Sequence, residues 1–215
     1  MAAKKKTAEP SSGGTTVHVD VPEMRTERLE LWLVGLSPLV VHAWSAKALE
    51  EMRTKQQRKA ATKREAKDPT AEYNSARYRM PGGKDGFPTT GIKNAMVSAC
   101  RYVEGMTMVQ ARGAFFVNLG SELVEIVHSA KQPKMREDAV RVGGMGPGTG
   151  KADLRYRPEY NEWRIRVMIT FNPSVFTNAQ IVNLLRHAGF HVGLGEHRPE
   201  RGGQWGMFEP REIDE

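Results

Sequence analysis

The sequence predicts an α+β fold with the ferredoxin-like order βαββαβ, and two pairs of elements lead to that prediction. Residues 27–36 and 163–171 alternate apolar and polar side chains, as strands with one buried face do. Residues 89–105 and 177–189 place apolar side chains every three or four positions, as amphipathic helices do. With a basic excursion at about 45–86 set aside, strands and helices follow in the βαββαβ order, with an extra strand or two.

The basic helical insertion at about 45–86 follows the first strand. Ser45 is placed to cap a helix, and beyond Met52 this helix has no large apolar residue to bury. We expect it to project into solvent or onto a partner and to end at Asp68-Pro69. An irregular return with exposed tyrosines is expected over 69–88. Residues 47–84 hold eleven Lys or Arg against five Asp or Glu, which is +6 of the net charge of +7.

The second half of the chain supplies the remaining strands and one more helix. Residues 112–118 and 121–128 are predicted to form a hairpin, and 139–157 to include a flexible stretch, GGMGPGTGK at 143–151, as a loop between short strands. Thr177 and Gln180 form a capping box at the start of the last helix. A glycine-rich run then leads to a short final strand near 204–208.

Composition favours one domain, residues 23–215, behind a disordered basic tail, residues 1–22. No apolar run approaches the roughly 20 residues that cross a bilayer. We therefore expect no membrane contact and a cytoplasmic location in a bacterial or phage-infected bacterial cell. The isoelectric point near 9.6 favours a polyanionic partner. Cys100 is the one cysteine and is expected to be a buried apolar side chain.

Motifs for metal or nucleotide chemistry are incomplete in this sequence. The six histidines and one cysteine show no HExxH or CxxC spacing, so no metal is expected. The run GPGTGK at 146–151 has Met145 where a phosphate loop needs glycine, and Ala152 where it needs Ser or Thr. We expect no cofactor and no nucleotide hydrolysis.

The glycine-rich run over 193–208 combines groups that bind nucleic acid. Its glycines allow a backbone to approach a ligand closely and expose N–H groups. The same segment supplies cations and a stacking surface in His197, Arg198, Arg201 and Trp205. We predict that it contacts a nucleic-acid strand.

The helix that begins near residue 89 predicts a second contact. Its N-terminus offers unpaired amides, and phosphate-seeking groups surround it: Thr89, Thr90, Lys93 and Asn94, with Arg101 off the apolar stripe. The insertion adds cations that are expected to neutralise phosphates: Arg53, Lys55, Arg58, Lys59, Lys63 and Arg64.

These segments together resemble the RAMP superfamily of CRISPR-associated RNA-binding proteins. The helix opens PTTGIKNA at 88–95, which matches P-x-x-x-[IL]-K-x-A, and a glycine-rich loop lies towards the C-terminus. The resemblance covers residues 27–210 and implies an RRM-like fold, with Lys93 and 193–206 near the nucleic-acid backbone. It also implies subunits that polymerise along a guide RNA, with the insertion as their finger. The longer, more charged loop favours a stand-alone relative encoded by a phage or prophage.

The predicted function is sequence-independent binding of single-stranded RNA or DNA by subunits that assemble cooperatively as a homo-oligomer or filament, without catalysis. Aromatic side chains such as Trp205, Tyr73 or Tyr78 would stack on bases. Two alternatives stay open. One is a metal-independent endoribonuclease, as in another branch of the superfamily, with His42 as general acid or base and Lys47 nearby. The other is a structural viral assembly protein.

Overall fold

A computed structural model describes residues 20–44, 46–57, 67–142 and 150–213 of the chain. Within these ranges, the elements in chain order are β1 (Glu27–Gly35), β2 (Leu39–Val40), α1 (Ala46–Gln56), α2 (Pro69–Ser75), β3 (Tyr78–Arg79), β4 (Asp85–Pro88), α3 (Thr89–Ala99), α4 (Met108–Ala114), β5 (Phe115–Val117), β6 (Leu123–His128), β7 (Lys134–Val142), β8 (Lys151–Tyr160), β9 (Trp163–Phe171), α5 (Asn178–His187) and β10 (Phe208–Arg211). Among them, no helix is long and apolar enough to cross a membrane.

The main sheet carries the ferredoxin-like core. Its strands run in the order β10-β1-β9-β6-β4-β3, and β5 pairs with β9 as well. Neighbouring strands are antiparallel throughout. In chain order the central elements are β1, α3, β6, β9, α5 and β10, which is the βαββαβ plan. The predicted α+β, ferredoxin-like fold is confirmed.

The hydrophobic core lies between this sheet and the helices α3 and α5. Strand side chains alternate between faces, so that Leu31 and Leu33 of β1 and Ile165 of β9 point inward and are buried. The two helices contribute the matching buried side chains Ile92, Met96, Ile181, Leu184 and Leu185. Burial of a side chain of this size contributes about 1.5–3 kcal/mol. Both helices are therefore held firmly on one face of the sheet.

The opposite face of the sheet is polar. Arg166 of β9 donates a hydrogen bond of 2.6 Å to Glu30 of β1, and the Arg164 guanidinium lies 4.5 Å from the ring centroid of Trp32. Antiparallel sheets commonly keep one solvated face of this kind.

A second sheet, in the order β2-β8-β7, connects to the main sheet through the short turns at 36–38 and 161–162. The helix α2 packs on β8. Next to it, Arg77 and Asp85 form a buried ion pair of 2.6 Å. This pair ties the chain after α2 to β4.

Three predicted elements agree closely with the structure. β1 covers Glu27–Gly35 and β9 covers Trp163–Phe171, as their alternating patterns predict. α5 begins at the predicted capping box, where the Thr177 hydroxyl accepts from the Gln180 amide and the Gln180 side chain accepts from the Thr177 amide. Cys100 is buried, as expected.

The prediction of an irregular return over 69–88 is wrong, because this segment holds α2, β3 and β4. The Asp68 carboxylate accepts from the amides of Thr70 and Ala71, so Asp68-Pro69 starts a helix. Tyr73, expected to be exposed, is buried, and its hydroxyl donates to the Pro133 carbonyl.

The predicted hairpin of 112–118 with 121–128 is also wrong. α4 occupies Met108–Ala114, and β5 and β6 do not pair with each other. Both are antiparallel to β9 and lie along it one after the other, so they run in the same direction. Asn118 joins them, because its amide donates to the Met168 carbonyl and its side-chain oxygen accepts from the Met168 amide.

A long hairpin of β7 and β8 takes the place of the short strands that the sequence predicts on either side of the loop at 143–151. Its register runs from Lys134 opposite Glu159 to Val142 opposite Lys151, and residues 143–149 lie outside the described ranges. The helix predicted over 89–105 ends its α-helical part at Ala99 and continues as a 3-10 turn, Cys100–Tyr102. The final strand is Phe208–Arg211 rather than 204–208.

The insertion begins with α1, whose described side chains are mostly exposed, including Leu49 and Met52. Ser45 and residues 58–66 lie outside the described ranges, and so do residues 1–19 of the predicted tail. The helix therefore begins where the sequence predicts it, and its predicted course beyond Gln57 is not described.

Candidate nucleic-acid interface

A groove of about 380 Å³ runs between α3 and the glycine-rich segment 193–206, and we call it the α3 groove. Its lining comes from three parts of the chain. Val41 and His42 follow β2, one side of α3 forms the floor, and residues 192–196, 198 and 200 form the far wall. Tyr78, Phe87 and Pro88 lie at the end near the N-terminus of α3.

The floor of the α3 groove is a stripe of small and polar residues. Gly91, Asn94, Ala95 and Ser98 are spaced by three or four positions, so they share one side of α3. Tyr102 follows Ser98 by four positions, in the 3-10 turn beyond the C-terminal end of α3. From Gly91 to Ser98 the helix rises about 11 Å. The floor is therefore long enough for about three nucleotides.

Two exposed aromatic rings stack on histidines that belong to the lining of the α3 groove or adjoin it in sequence. The Trp44 ring centroid lies 6.0 Å from that of the groove residue His42, with the two planes 28° apart. The Tyr102 ring centroid lies 4.2 Å from that of His191, which precedes the groove residue Val192, with the planes 13° apart. Trp44 is 64% exposed and Tyr102 is 48% exposed, so each ring keeps surface for a further planar group.

His42 is held at the groove wall by a carboxylate. Its Nδ1 lies 3.0 Å from Oε1 of Glu196, and Oε2 of Glu196 lies 3.5 Å from Nε of the buried Arg157. Burial acts to raise the pKa of Glu196, but the hydrogen bond and charge of His42 and the charges of Arg157 and His197 hold it below its usual range. Tyr78 donates to the His42 carbonyl at 3.1 Å, which fixes the backbone at this point.

The glycine-rich segment is folded on itself. Eight amides between 193 and 206 donate to backbone carbonyls: those of residues 193, 194, 196, 201, 202, 203, 205 and 206. Two of these bonds, from Glu196 to Val40 and from Gly206 to Pro38, attach the segment to β2 and the turn before it. The exposed amides that the sequence suggests are therefore mostly engaged within the protein.

Arg101 and Arg198 meet at one carboxylate beside the α3 groove. Arg101 Nη2 lies 2.5 Å from Oε1 of Glu200, and Arg198 Nη2 lies 2.8 Å from Oε2. Arg198 also donates to the Gly195 carbonyl at 3.1 Å. Burial acts to raise the pKa of Glu200, but hydrogen bonds from Arg198, Ser98 and Arg101 and the Arg198 charge hold it below its usual range. Arg201, the residue after Glu200, is exposed.

Trp205 is engaged by the neighbouring hairpin and does not line the α3 groove. The guanidinium of Arg136, on β7, lies 3.6 Å from its ring centroid, and the ring of His197 meets it edge-on at 4.9 Å. Arg136 is in turn bonded to Asp138 and Glu159. His197, Arg198 and Arg201 line a smaller depression of about 230 Å³ on this side of the segment.

The residues around the start of α3 separate into two groups. Asn94 lines the α3 groove, and Thr90 is exposed one turn before it. Thr89 is buried, and its hydroxyl donates to the carbonyls of Ser121 and Glu122. Lys93 lies on the other side of α3, with Nζ 4.0 Å from the ring centroid of Phe116 on β5. Burial lowers the pKa of Lys93.

The predicted cations of the insertion are only partly described. Arg53 is exposed and lies 3.4 Å from Glu50, on the same helix. The side chains of Lys47 and Lys55 and the whole of residues 58–66, with Arg58, Lys59, Lys63 and Arg64, lie outside the description. Of the predicted stacking residues, Tyr78 lines the α3 groove and Tyr73 is buried below the surface.

Four site residues could not be found by sequence reasoning that searched for cations. Glu196 and Glu200 are acids whose role depends on arginines and a histidine elsewhere in the chain. Trp44 and Tyr102 are exposed aromatics that become notable only through their histidine neighbours. The spacing from Ser98 to Tyr102 was the one available signal. Among the described residues, no group of three or more metal-ligating side chains is placed to hold an ion.

Comparison with known proteins finds solved structures of similar fold but assigns the chain to no family. No family profile and no curated protein matches the chain. A chain in the cryo-EM structure of the Type III-B Cmr-beta bound to cognate target RNA has a similar fold, with a TM-score of 0.52 and 12% identity over 88% of this chain. This chain spans 60% of the length of that one. Cmr6 from Pyrococcus furiosus aligns with a TM-score of 0.44 and 9% identity, over 88% of this chain and 100% of that chain.

Proposed function

We propose that this protein binds single-stranded nucleic acid, RNA or DNA, along the α3 groove. The observation that carries the proposal is a polar groove beside two exposed aromatic rings, one stacked on the groove residue His42 and the other on His191, which precedes the groove residue Val192. Every base has a flat face, so such rings hold an unpaired strand without selecting its sequence. The similar fold in a complex bound to cognate target RNA supports the proposal, as does the RAMP-like motif at 88–95.

Stacking supplies the largest part of the proposed affinity. A base on an aromatic platform contributes about 1–3 kcal/mol. A floor of about 11 Å takes roughly three nucleotides at 3.4 Å each, and fewer if the strand is extended. We infer that Trp44 and Tyr102 contact the first and last bases of this short stretch.

The test is binding of a labelled single-stranded oligonucleotide to the wild type and to Trp44→Ala and Tyr102→Ala. Each variant is expected to weaken binding about 5- to 150-fold, which corresponds to the loss of one stacked base. Phe116→Ala is the matched control, because Phe116 is also exposed but lies outside the groove, against Lys93. Equal losses for all three variants, or no binding by the wild type at low salt, would contradict the proposal.

We further propose that subunits assemble along the strand and that α1 contacts the next copy. Leu49 is 42% exposed and Met52 is 36% exposed, so the apolar turn of α1 has little to pack against within its own chain. Such a surface is typical of a contact between molecules. The charged remainder of the insertion would then lie along the bound strand, as the fingers of RAMP backbone subunits do by resemblance.

Sedimentation with and without a long single-stranded oligonucleotide tests this assembly. Leu49→Ser combined with Met52→Ser is expected to remove cooperative loading and leave binding to a short oligonucleotide unchanged. Val109→Ser is the control, since Val109 is an exposed apolar side chain on α4. If the double variant still loads cooperatively, α1 is not the contact. If copies assemble without nucleic acid and resist nuclease, the structural assembly alternative is favoured.

One observation favours endoribonuclease activity as a second candidate function. Glu196 engages Nδ1 of His42, so Nε2 is the nitrogen left to face a substrate. Nε2 would take the proton of a ribose 2′-hydroxyl, whose oxygen attacks the adjacent phosphorus. The bond from phosphorus to the 5′-oxygen breaks, and the departing oxygen takes a proton from water. The products are a 2′,3′-cyclic phosphate and a 5′-hydroxyl, and only RNA can react.

Incubation of RNA in EDTA tests this activity. His42→Ala is expected to abolish cleavage, and Glu196→Gln to slow it, because the imidazole loses the carboxylate that orients it. An oligonucleotide with 2′-deoxyribose throughout should stay intact. Cleavage that persists in the His42 variant would come from another source and remove the candidate.

A further inference from the structure

Two arginines, Arg101 and Arg198, donate to the same carboxylate at the wall of the α3 groove. Glu200 accepts from Arg101 at one oxygen and from Arg198 at the other, the latter through both Nε at 3.2 Å and Nη2 at 2.8 Å. Two guanidinium groups around one oxyanion form the arrangement by which arginine recognises phosphate. The bound anion here belongs to the protein itself.

The two arginines are held from behind, independently of Glu200. Arg198 Nη1 donates to the Gly195 carbonyl at 3.1 Å, and Arg101 Nε donates to the Ser98 carbonyl at 3.2 Å. Ser98 and Gly195 both line the groove, so these bonds hold the guanidinium groups at its edge. Loss of the carboxylate would leave the arginines in place.

The Glu200 side chain, in contrast, can leave without disturbing the backbone. It lies on a 3-10 turn, Pro199–Arg201, whose amide bonds stay within the turn: Arg201 and Gly203 donate to the Arg198 carbonyl, and Gly202 to the Pro199 carbonyl. The Arg101 side chain is 50% exposed, so water reaches its ion pair with Glu200, whereas the Arg198 and Glu200 side chains are 28% and 21% exposed. A half-exposed ion pair such as that of Arg101 is weak and exchanges readily with other anions.

We propose that Arg101 and Arg198 form a backbone-phosphate site of the α3 groove, and that the Glu200 carboxylate occupies this site until a nucleic-acid strand displaces it. The inference rests on the proposed function. It adds a phosphate subsite, formed by Arg101 and Arg198, for which the Glu200 carboxylate competes with the phosphate. The competitor suppresses binding of stray anions, because an anion must break two ion pairs to enter. A strand that already stacks on Trp44 and Tyr102 brings its phosphate to the site at high local concentration.

Glu200→Gln is the test, and Glu30→Gln is its matched control. Both remove one carboxylate that is bonded to arginine, but Glu30 pairs with Arg166 on the polar face of the sheet, away from the α3 groove. Anisotropy of a labelled single-stranded oligonucleotide is measured for the wild type and both variants across a salt series. Thermal midpoints are measured in parallel.

Glu200→Gln is expected to bind about twofold to thirtyfold more tightly, since the ion pairs of Glu200 with Arg101 and Arg198 no longer need to be broken. Arg101, Arg198 and Glu200 together carry one net positive charge in the wild type, and the same three positions carry two in Glu200→Gln. The variant therefore neutralises one more phosphate. The slope of log affinity against log salt should steepen by about 0.7 for a single strand. Adding Arg101→Gln to Glu200→Gln should remove the gain. Glu30→Gln should behave as the wild type.

The outcomes separate this inference from the proposed function. If the wild type binds and the Glu200 and Glu30 variants bind equally well, the phosphate site is refuted and the proposed function stands. If no protein binds at low salt, the proposed function fails. If Glu200→Gln lowers both affinity and thermal midpoint, Glu200 is structural and the inference is overturned. Self-association of Glu200→Gln without a gain in affinity would assign the arginines to an acidic protein surface, which also overturns it.

Discussion

Gly206→Ala is expected to destabilise the fold strongly, because the Gly206 backbone is hydrogen-bonded to both Pro38 and Leu194 and holds the two ends of the glycine-rich segment together. Its φ is +66°, and a Cβ added there would overlap the Leu194 carbonyl oxygen, well inside the 3.0 Å that Cβ atoms keep. The overlap cannot relax easily, since the Gly206 amide donates to the Pro38 carbonyl at 2.8 Å and its carbonyl accepts from the Leu194 amide at 2.9 Å. Backbone strain at positive φ costs about 1–2 kcal/mol, and forced displacement of packed neighbours about 1–3 kcal/mol more.

Gly202→Ala is the matched control for this prediction. Its φ is +77°, but nothing lies within 4 Å of an added Cβ, so only the backbone strain applies. A cost of about 2–5 kcal/mol lowers the thermal midpoint by roughly 4–20 °C for Gly206→Ala, against about 2–8 °C for Gly202→Ala. Thermal or urea unfolding gives both values. If the two variants are equally stable and Gly206→Ala instead loses nucleic-acid binding, the glycine serves a ligand and the structural explanation fails.

Three further predictions concern charged groups. Burial acts to raise the pKa of Glu159, but Arg136 and Lys134 hold it below its ordinary value near 4.5. The contribution of Glu159 to the free energy of unfolding is therefore complete above that pH and disappears as the pH falls through the lowered pKa. Glu159→Gln should flatten the acid side of a curve of stability against pH. Arg77→Ala should cost about 3–5 kcal/mol in urea unfolding, because the buried Asp85 loses its ion pair of 2.6 Å and keeps longer contacts, to Arg79 at 3.5 Å and His128 at 3.8 Å. A variant within about 1 kcal/mol of the wild type would refute this. Lys93→Met should leave oligonucleotide affinity unchanged in the same assay as Trp44→Ala, because its ammonium group lies over Phe116 and outside the groove.

The parts of the fold that the sequence predicts are those with one buried face. β1 and β9 alternate cleanly because helices cover one side of the sheet and the other side stays polar. α5 combines an apolar stripe with a capping box, and both signals are local. The hairpin of β7 and β8 has neither a clean alternation of apolar and polar side chains nor a local capping signal. It carries charged residues on both faces, such as Arg136 and Glu137 as neighbours, so no apolar period marks it.

The candidate site depends on contacts that no local pattern contains. Composition points to the glycine-rich segment as a binding loop, but its glycines mainly allow backbone segments to approach each other. The motif at 88–95 covers the start of α3, but the motif alone does not show that Lys93 and Asn94 lie on different sides of the helix. Glu196 and Glu200 matter through partners that lie 154 and 99 residues away in sequence. Only the folded chain brings these groups together.

The charges in and around the α3 groove nearly cancel. The groove and the basic insertion would therefore contribute to affinity in different ways. Arg101, Arg157 and Arg198 face Glu196 and Glu200, with Glu72 on the far side of Arg157. The excess positive charge lies instead in the insertion, where residues 47–84 carry +6. Long-range attraction governs the association rate, and desolvated contacts govern dissociation. Neutralising lysines of the insertion should therefore slow association in a salt-dependent way, whereas Tyr102→Ala should speed dissociation at every salt concentration. Stopped-flow measurement of both rate constants tests this division, and a dissociation rate that responds equally to both changes would refute it.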